Sequence, residues 1–221
     1  PEGSRRPANR VAVQYVDGAR PDLWGDQPGA FVLLLPEGMT DNDKGVLFAA
    51  LSCNIAVYVD QQRVRTRLTL HVAADEFWPN PRPGLVRLWR PVPAAVAESR
   101  RQPRRSTGER WTLRDAAYLA LGYVFRDRLE ANPRDYHQVV DRARTSGMNV
   151  IEAHLIADSR TARYVHKVPE NLVTQPFSAT IDLGDMVSAR TVLAIGQSRH
   201  LGGGLLVPVD VPPEQVGARR G

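Results

Sequence analysis

Apolar and polar positions alternate strictly along residues 63–72. Val64, Leu68, Leu70 and Val72 fall on one face, and Arg63, Arg65, Arg67, Thr69 and His71 on the other. A period of two predicts a half-buried strand. Three further strands are predicted, "AFVLLLP" (30–36, a buried run ended by proline), "NIAVYVD" (54–60) and "GLVRLWRPV" (84–92). A helical stripe of Val46, Leu47, Ala50 and Leu51 follows Thr40 and Asp43, which are spaced as a capping box. Thr112 and Asp115 repeat that spacing before a broadly apolar helix over 113–130. Asn132-Pro133 opens a second helix to about Thr145, which Gly147 stops. The last third predicts strands at 148–157, 176–183, 190–196 and 205–209. Strands on both sides of the helices, without a short repeat, point to an α+β fold with helices on one face of each sheet.

Composition narrows the class. The 221 residues suffice for one large or two small domains, and 43% hydrophobic with 24% charged residues is ordinary for a soluble protein. No apolar run approaches the roughly 18–20 residues of a membrane helix, and "PEGSRRPANR" lacks a signal-peptide core. The expectation is therefore a cytoplasmic chain with no membrane partner. Cys53 stands alone, which excludes an intrachain disulfide and a zinc site built on several thiolates.

Net charge is +5, which points to an anionic partner. Lys44 and Lys167 are the only lysines among 29 basic residues. Arginine on this scale reflects either GC-rich coding or guanidinium groups chosen to bind phosphate bidentately. From Arg87 to Arg114 there are eight arginines against two glutamates. The group Arg100, Arg101, Arg104, Arg105, Arg110 and Arg114 reads as a clamp for structured RNA or as a basic linker; its near freedom from acids favours the clamp. Arg63, Arg65 and Arg67 make either a backbone-binding platform or a solvated strand face.

Five histidines offer acid–base chemistry. His137 in a helix and His154 in an apolar strand read as structural. His71 shares the arginine face, and His166 stands beside Tyr164 and Lys167. His200 adjoins Arg199 and the run Gly202, Gly203 and Gly204 in "AIGQSRHLGGGLLVPVD" (194–210). A glycine run of this kind is either a plain hairpin or a backbone cradle for an anion. Transesterification of RNA needs a base for the 2′-hydroxyl, a cation for the phosphorane and an acid for the leaving oxygen. His200 or His166 suits the base or acid, Lys167 or Arg199 the cation, and Tyr164 the placing of the hydroxyl, with His71 next in line. There is no P-loop, dinucleotide fingerprint, G-x-S-x-G or H-E-x-x-H, so no cofactor and no metal are expected.

The tail "VLAIGQSRHLGGGLLVPV" resembles the C-terminal glycine-rich signature of CRISPR-associated RAMP proteins. It is most similar to the repeat-cleaving Cas-six endoribonucleases, above all the Cas-six half of the fused Cas-five/Cas-six subunit of type I-G (I-U) systems. Gly196, Arg199, His200, Gly202, Gly204 and Leu205 occupy the signature's places. "FVLLLPEGMTDNDKGVLFAAL" and "LVRLWRPVPAAV" are collinear with that subunit's strand–helix unit and tryptophan strand.

The resemblance implies two RRM-like (ferredoxin-like) halves with antiparallel sheets, over 11–92 and 112–213. A connector at 93–111 would join them, with flexible ends at 1–10 and 214–221. It also implies metal-independent cleavage of CRISPR repeat RNA, retention of the crRNA, and partners among the other effector-complex subunits of this antiviral system. Many such nucleases carry a catalytic histidine on or near the first helix, and "TDNDKGVLFAALSC" has none. The alternatives are thus a non-catalytic RNA-binding RAMP subunit and an unrelated basic RNA-binding protein.

Overall fold

The computed structural model describes residues 11–17, 29–35, 39–52, 55–59, 62–66, 77–92, 95–96, 112–156, 176–197, 199 and 202–218. Among them nine strands and four α-helices alternate, and every strand pairing is antiparallel. The class is mixed helix and strand with antiparallel sheets, as the period changes along the chain predicted.

The N-terminal part is built from two hairpins and a helix. Strand β1 (Ala12–Asp17) pairs with β2 (Gly29–Leu34), Tyr15 opposite Phe31. Helix α1 (Asp41–Ser52) starts as its Thr40/Asp43 spacing predicts, with the Asp43 N–H donating to Thr40 Oγ1 at 3.1 Å. It buries none of its side chains. Strand β3 (Ile55–Val59) pairs with β4 (Gln62–Thr66). The alternating segment expected over 63–72 is thus a strand through Thr66, and its remainder lies outside the described residues.

The main sheet holds β5 (Val86–Val92), the short β6 (Ala95–Val96), β7 (Asn149–Leu155), β8 (Pro176–Asp182) and β9 (Leu205–Val211). Strand β8 sits between β7 on one side and β5 with β6 on the other, and β9 borders the far side of β5. The order across the sheet is therefore β7-β8-β5-β9. Helices α2 (Leu113–Val124) and α3 (Tyr136–Thr145) make the crossover from β5 to β7.

The helices begin where their caps dictate. Thr112 caps α2 through the full reciprocal box: Asp115 N–H donates to Thr112 Oγ1 at 3.3 Å, and Thr112 N–H to Asp115 Oδ2 at 2.7 Å. Asp115 is buried, and Arg144 of α3 donates to its other oxygen. The same carboxylate therefore both caps α2 and ties it to α3.

Helix α2 stops at Val124, six residues short of the expected 130. One more helical bond, Leu129 N–H to Phe125 O at 2.9 Å, brings both side chains into the core, and Glu130 at φ 50° then ends the turn. Asn132 holds the next reversal by accepting the Arg134 N–H at 3.0 Å, so α3 begins only at Tyr136.

Trp89, Leu119, Leu121, Val139, Phe177, Ile181 and Leu206 are in the core between the α2–α3 pair and the sheet. A second, smaller cluster of Leu88, Ile151 and Val211 is closed by Val216 of α4 (Pro213–Ala218). Residues 214–218, expected as part of a flexible tail, are thus helical, because Val216 is buried among those side chains. No described helix is long and apolar enough to cross a membrane.

Candidate functional site

The segment 190–196, expected as a strand, touches the sheet only through one bridge, Ala194 to Leu205. It nonetheless turns back on β9 as a hairpin. Ile195 N–H donates to Gly204 O at 2.9 Å, and Leu206 N–H to Leu193 O at 2.8 Å. Gly196, Gly202 and Gly204 all adopt positive φ, at 88°, 89° and 72°. A Cβ at Gly204 would collide with the Ile195 carbonyl, so this position needs glycine for both conformation and space.

Inside the turn, the carbonyls of Arg199, Gly203 and Gly204 are taken. Arg199 O accepts from Gly202 N–H at 3.4 Å and from Gln14 Nε2 at 2.7 Å. Gly203 O accepts from the same Gln14 nitrogen at 3.2 Å, and Gly204 O from Ile195. The N–H groups are distributed differently. Among the described residues, no acceptor is paired with the N–H of Gly203 or Gly204. Carbonyls turned inward and consecutive N–H groups left over are the ingredients of an anion-binding concavity.

Arg199 is only 6% exposed, so it is buried. Gln14, which reaches the turn from β1, was not among the expected site residues. The signal for it was a polar residue in phase with Ala12 and Val16, the buried face of β1.

The other expected residues divide. Arg114 sits in the first turn of α2 and donates from Nη2 to Ile151 O at 2.6 Å, at the irregularity in β7. That bond ties helix to sheet. Arg63 and Arg65 lie on β4, opposite Tyr58 and Ala56 in the register. Gly202, Gly203 and Gly204 are together in the turn. His71, Tyr164, His166, Lys167, His200, Arg67, Arg100, Arg101, Arg104, Arg105 and Arg110 lie outside the described residues.

Of the two described histidines, His137 is on an exposed position of α3. His154 lies on β7, facing solvent. Its side chain is 68% exposed, with Nε2 3.5 Å from Glu152 Oε2, and Glu152 in turn accepts from Thr180 Oγ1 at 2.7 Å. Strand β7 is at the opposite edge of the sheet from β9, so this pair and the glycine turn are separate features.

A second polar group braces the start of the main sheet. Arg87 donates to both Asp210 oxygens, at 2.9 and 3.2 Å, and to the carbonyls of Pro79 and Ala189. The hydrogen bond from Arg87 holds the Asp210 carboxyl below its usual range, against the opposing effect of burial. That guanidinium is thus committed to holding the fold.

Comparison with protein-family models, with curated proteins and with solved structures gave no match to the chain.

Proposed function

We propose that the chain is an RNA-binding subunit of a CRISPR ribonucleoprotein that cleaves repeat RNA by attack of the RNA's own 2′-hydroxyl. The observation that carries the reading is the glycine turn. Its inner carbonyls are occupied while the Gly203 and Gly204 N–H groups have no acceptor among the described residues, an arrangement suited to a phosphate. Net charge of +5, held almost entirely by arginine, supports the same partner.

The order β7-β8-β5-β9 supports an RRM-like reading of the C-terminal half. In chain order it is 2-3-1-4 (β5 first), the order of a split βαβ sheet, with the second crossover made by residues 183–204 in place of a long helix. The turn then enters the last strand directly, where the resemblance expects the RNA. Peptide N–H groups would hold the phosphate, with an imidazole from His200 or His166 moving the proton and Lys167 or Arg199 countering phosphorane charge. Tyr164 would place the hydroxyl. The second reading, RNA binding without cleavage, is favoured by the absence of histidine from α1.

The test is a gel with end-labelled CRISPR repeat RNA, incubated with the protein in EDTA. Cleavage to a 2′,3′-cyclic phosphate and a 5′-hydroxyl, lost when a 2′-deoxy nucleotide precedes the cut, is the expected result. Tight binding with no cleavage moves the assignment to the second reading. Neither binding nor cleavage overturns both.

A further inference from the structure

We propose that Gln14 is a positioning residue that fixes the glycine turn in its anion-accepting form. The proposal rests on the reading of that turn as a phosphate site. Gln14 is 1% exposed on the buried face of β1, between Ala12 and Val16. Its carboxamide nitrogen carries two hydrogens, and both are used: one on Arg199 O at 2.7 Å, one on Gly203 O at 3.2 Å. The orientation of the amide follows from those partners, because two carbonyls can only accept. A flipped amide would set three oxygens against one another.

The cost of this arrangement lies at the other end of the amide. Gln14 Oε1 is buried with no hydrogen-bond partner. A residue needed only for packing, at an inward position flanked by Ala12 and Val16, would be apolar and would leave no orphaned acceptor. What glutamine adds is the capture of two carbonyl oxygens. Lone pairs at Arg199 O and Gly203 O would repel a phosphate oxygen seated at the turn. Bonded to Gln14, they are directed inward, and the peptide N–H of Gly203 and Gly204 is what the turn offers an anion.

The contact also spans 185 residues of sequence, joining the N-terminal hairpin to the last hairpin of the chain. Gly202 approaches the same strand, with Val13 O 3.7 Å from where its Cβ would be. Strand β1 is therefore the wall against which the turn is set.

The experiment compares full-length wild type, Gln14→Met and Gln14→Glu with the labelled repeat RNA, measuring affinity over a salt series together with the melting temperature. Methionine matches the length of glutamine and donates nothing; glutamate replaces the donor by a third acceptor. The expected result is about a tenfold loss of affinity for Gln14→Met, the scale of one charge-assisted hydrogen bond, with the log–log salt slope unchanged, because no cation is removed, and the fold intact at the assay temperature. Gln14→Glu should lose more.

Unchanged affinity in a folded Gln14→Met protein, with wild type still binding, overturns the role of Gln14 and leaves the phosphate reading standing. Weaker binding that merely follows the loss of folded protein also overturns it. No RNA binding by wild type overturns the phosphate reading itself. If neither variant folds, amide hydrogen exchange in wild type decides. Protection of Gly203 and Gly204 on adding RNA is expected, and its absence in an RNA-bound protein refutes the proposal.

Discussion

The main sheet with its helix pair and the N-terminal pieces that precede it use their apolar residues differently. In the first, α2 buries Ala117, Tyr118, Leu119, Ala120, Leu121 and Tyr123, and β8 buries Phe177, Ala179 and Ile181. In the second, α1 buries nothing, with Val46 and Phe48 exposed, and the outer face of the β1–β2 hairpin carries Tyr15 and Phe31 ring to ring at 5.3 Å. Phe31 is 70% exposed. Only the inner face of that hairpin, through Val16 and Val32, joins the large core. Apolar pattern thus decides which face of an element can be buried. What buries it is decided by neighbours, and α1 is left with no buried side chain.

If stability resides in the main sheet, the largest effects should come from its center. Ile181→Ala or Leu206→Ala, both fully buried, should cost about 3–5 kcal/mol in urea unfolding, the range for large-to-small changes in a well-packed core. A cost below about 1 kcal/mol at both sites would mean that the sheet is not the stable unit.

The glycine turn comes next. Gly204→Ala meets both a positive φ and the Ile195 carbonyl, whereas Gly84→Ala has a similar φ of 76° with open space around it. The first should cost on the order of 2–3 kcal/mol and the second about 1 kcal/mol. Thermal melts of the two proteins side by side check the difference. Equal losses would show that backbone conformation alone, without the close approach to Ile195, requires glycine at Gly204.

Asp210 supplies a pH-dependent term. Arg87 depresses its folded pKa, so the ion pair contributes stability in full above the unfolded value near 3.9. That contribution disappears as pH falls through the unfolded value toward the lower, folded one. Asp210→Asn should therefore cost roughly 2 kcal/mol at pH 7 and less by pH 3. The mutant's stability should also fall less steeply with acid than that of wild type. Parallel acid profiles for the two proteins would remove Asp210 from the balance.

How far all this could be read from the chain depends on how local each cause is. The caps at Thr40 and Thr112 and the β7, β8 and β9 strands are set within a few residues, and their positions were legible, whereas α3 starts at Tyr136 and not at Asn132-Pro133. Strand β1 was not, although "AVQYVD" alternates, because Gln14 breaks the apolar phase that marks a buried face. That interruption is the same feature that connects β1 to the glycine turn. The burial of Arg199 was not legible either. Arginine beside glycine and histidine reads as exposed until the β1 hairpin is folded against it. The exposure of His154 was not legible either, since an apolar strand at a sheet edge still has one face toward solvent.

The smallest effect tests the N-terminal side of the comparison most directly. Gly45 lies inside α1 with nothing within 4 Å of where an alanine methyl would stand, and its φ is not in the left-handed region. Gly45→Ala should then gain the usual helix-propensity difference, up to about 1 kcal/mol, without any packing term. Where that gain is registered distinguishes two architectures. If α1 opens independently of the sheet, the mutation raises helical ellipticity and slows amide exchange within 41–52 while the global unfolding midpoint stays put, because the sheet unfolds at a free energy that α1 does not share. If α1 unfolds together with the sheet, the midpoint itself rises by several degrees. The burial pattern favours the first outcome, since α1 encloses no side chain and the helices that line the core all lie beyond residue 112. A clear rise in the midpoint would show that the N-terminal pieces and the sheet form one cooperative unit, with the docking of β1 against the glycine turn as the contact to examine first.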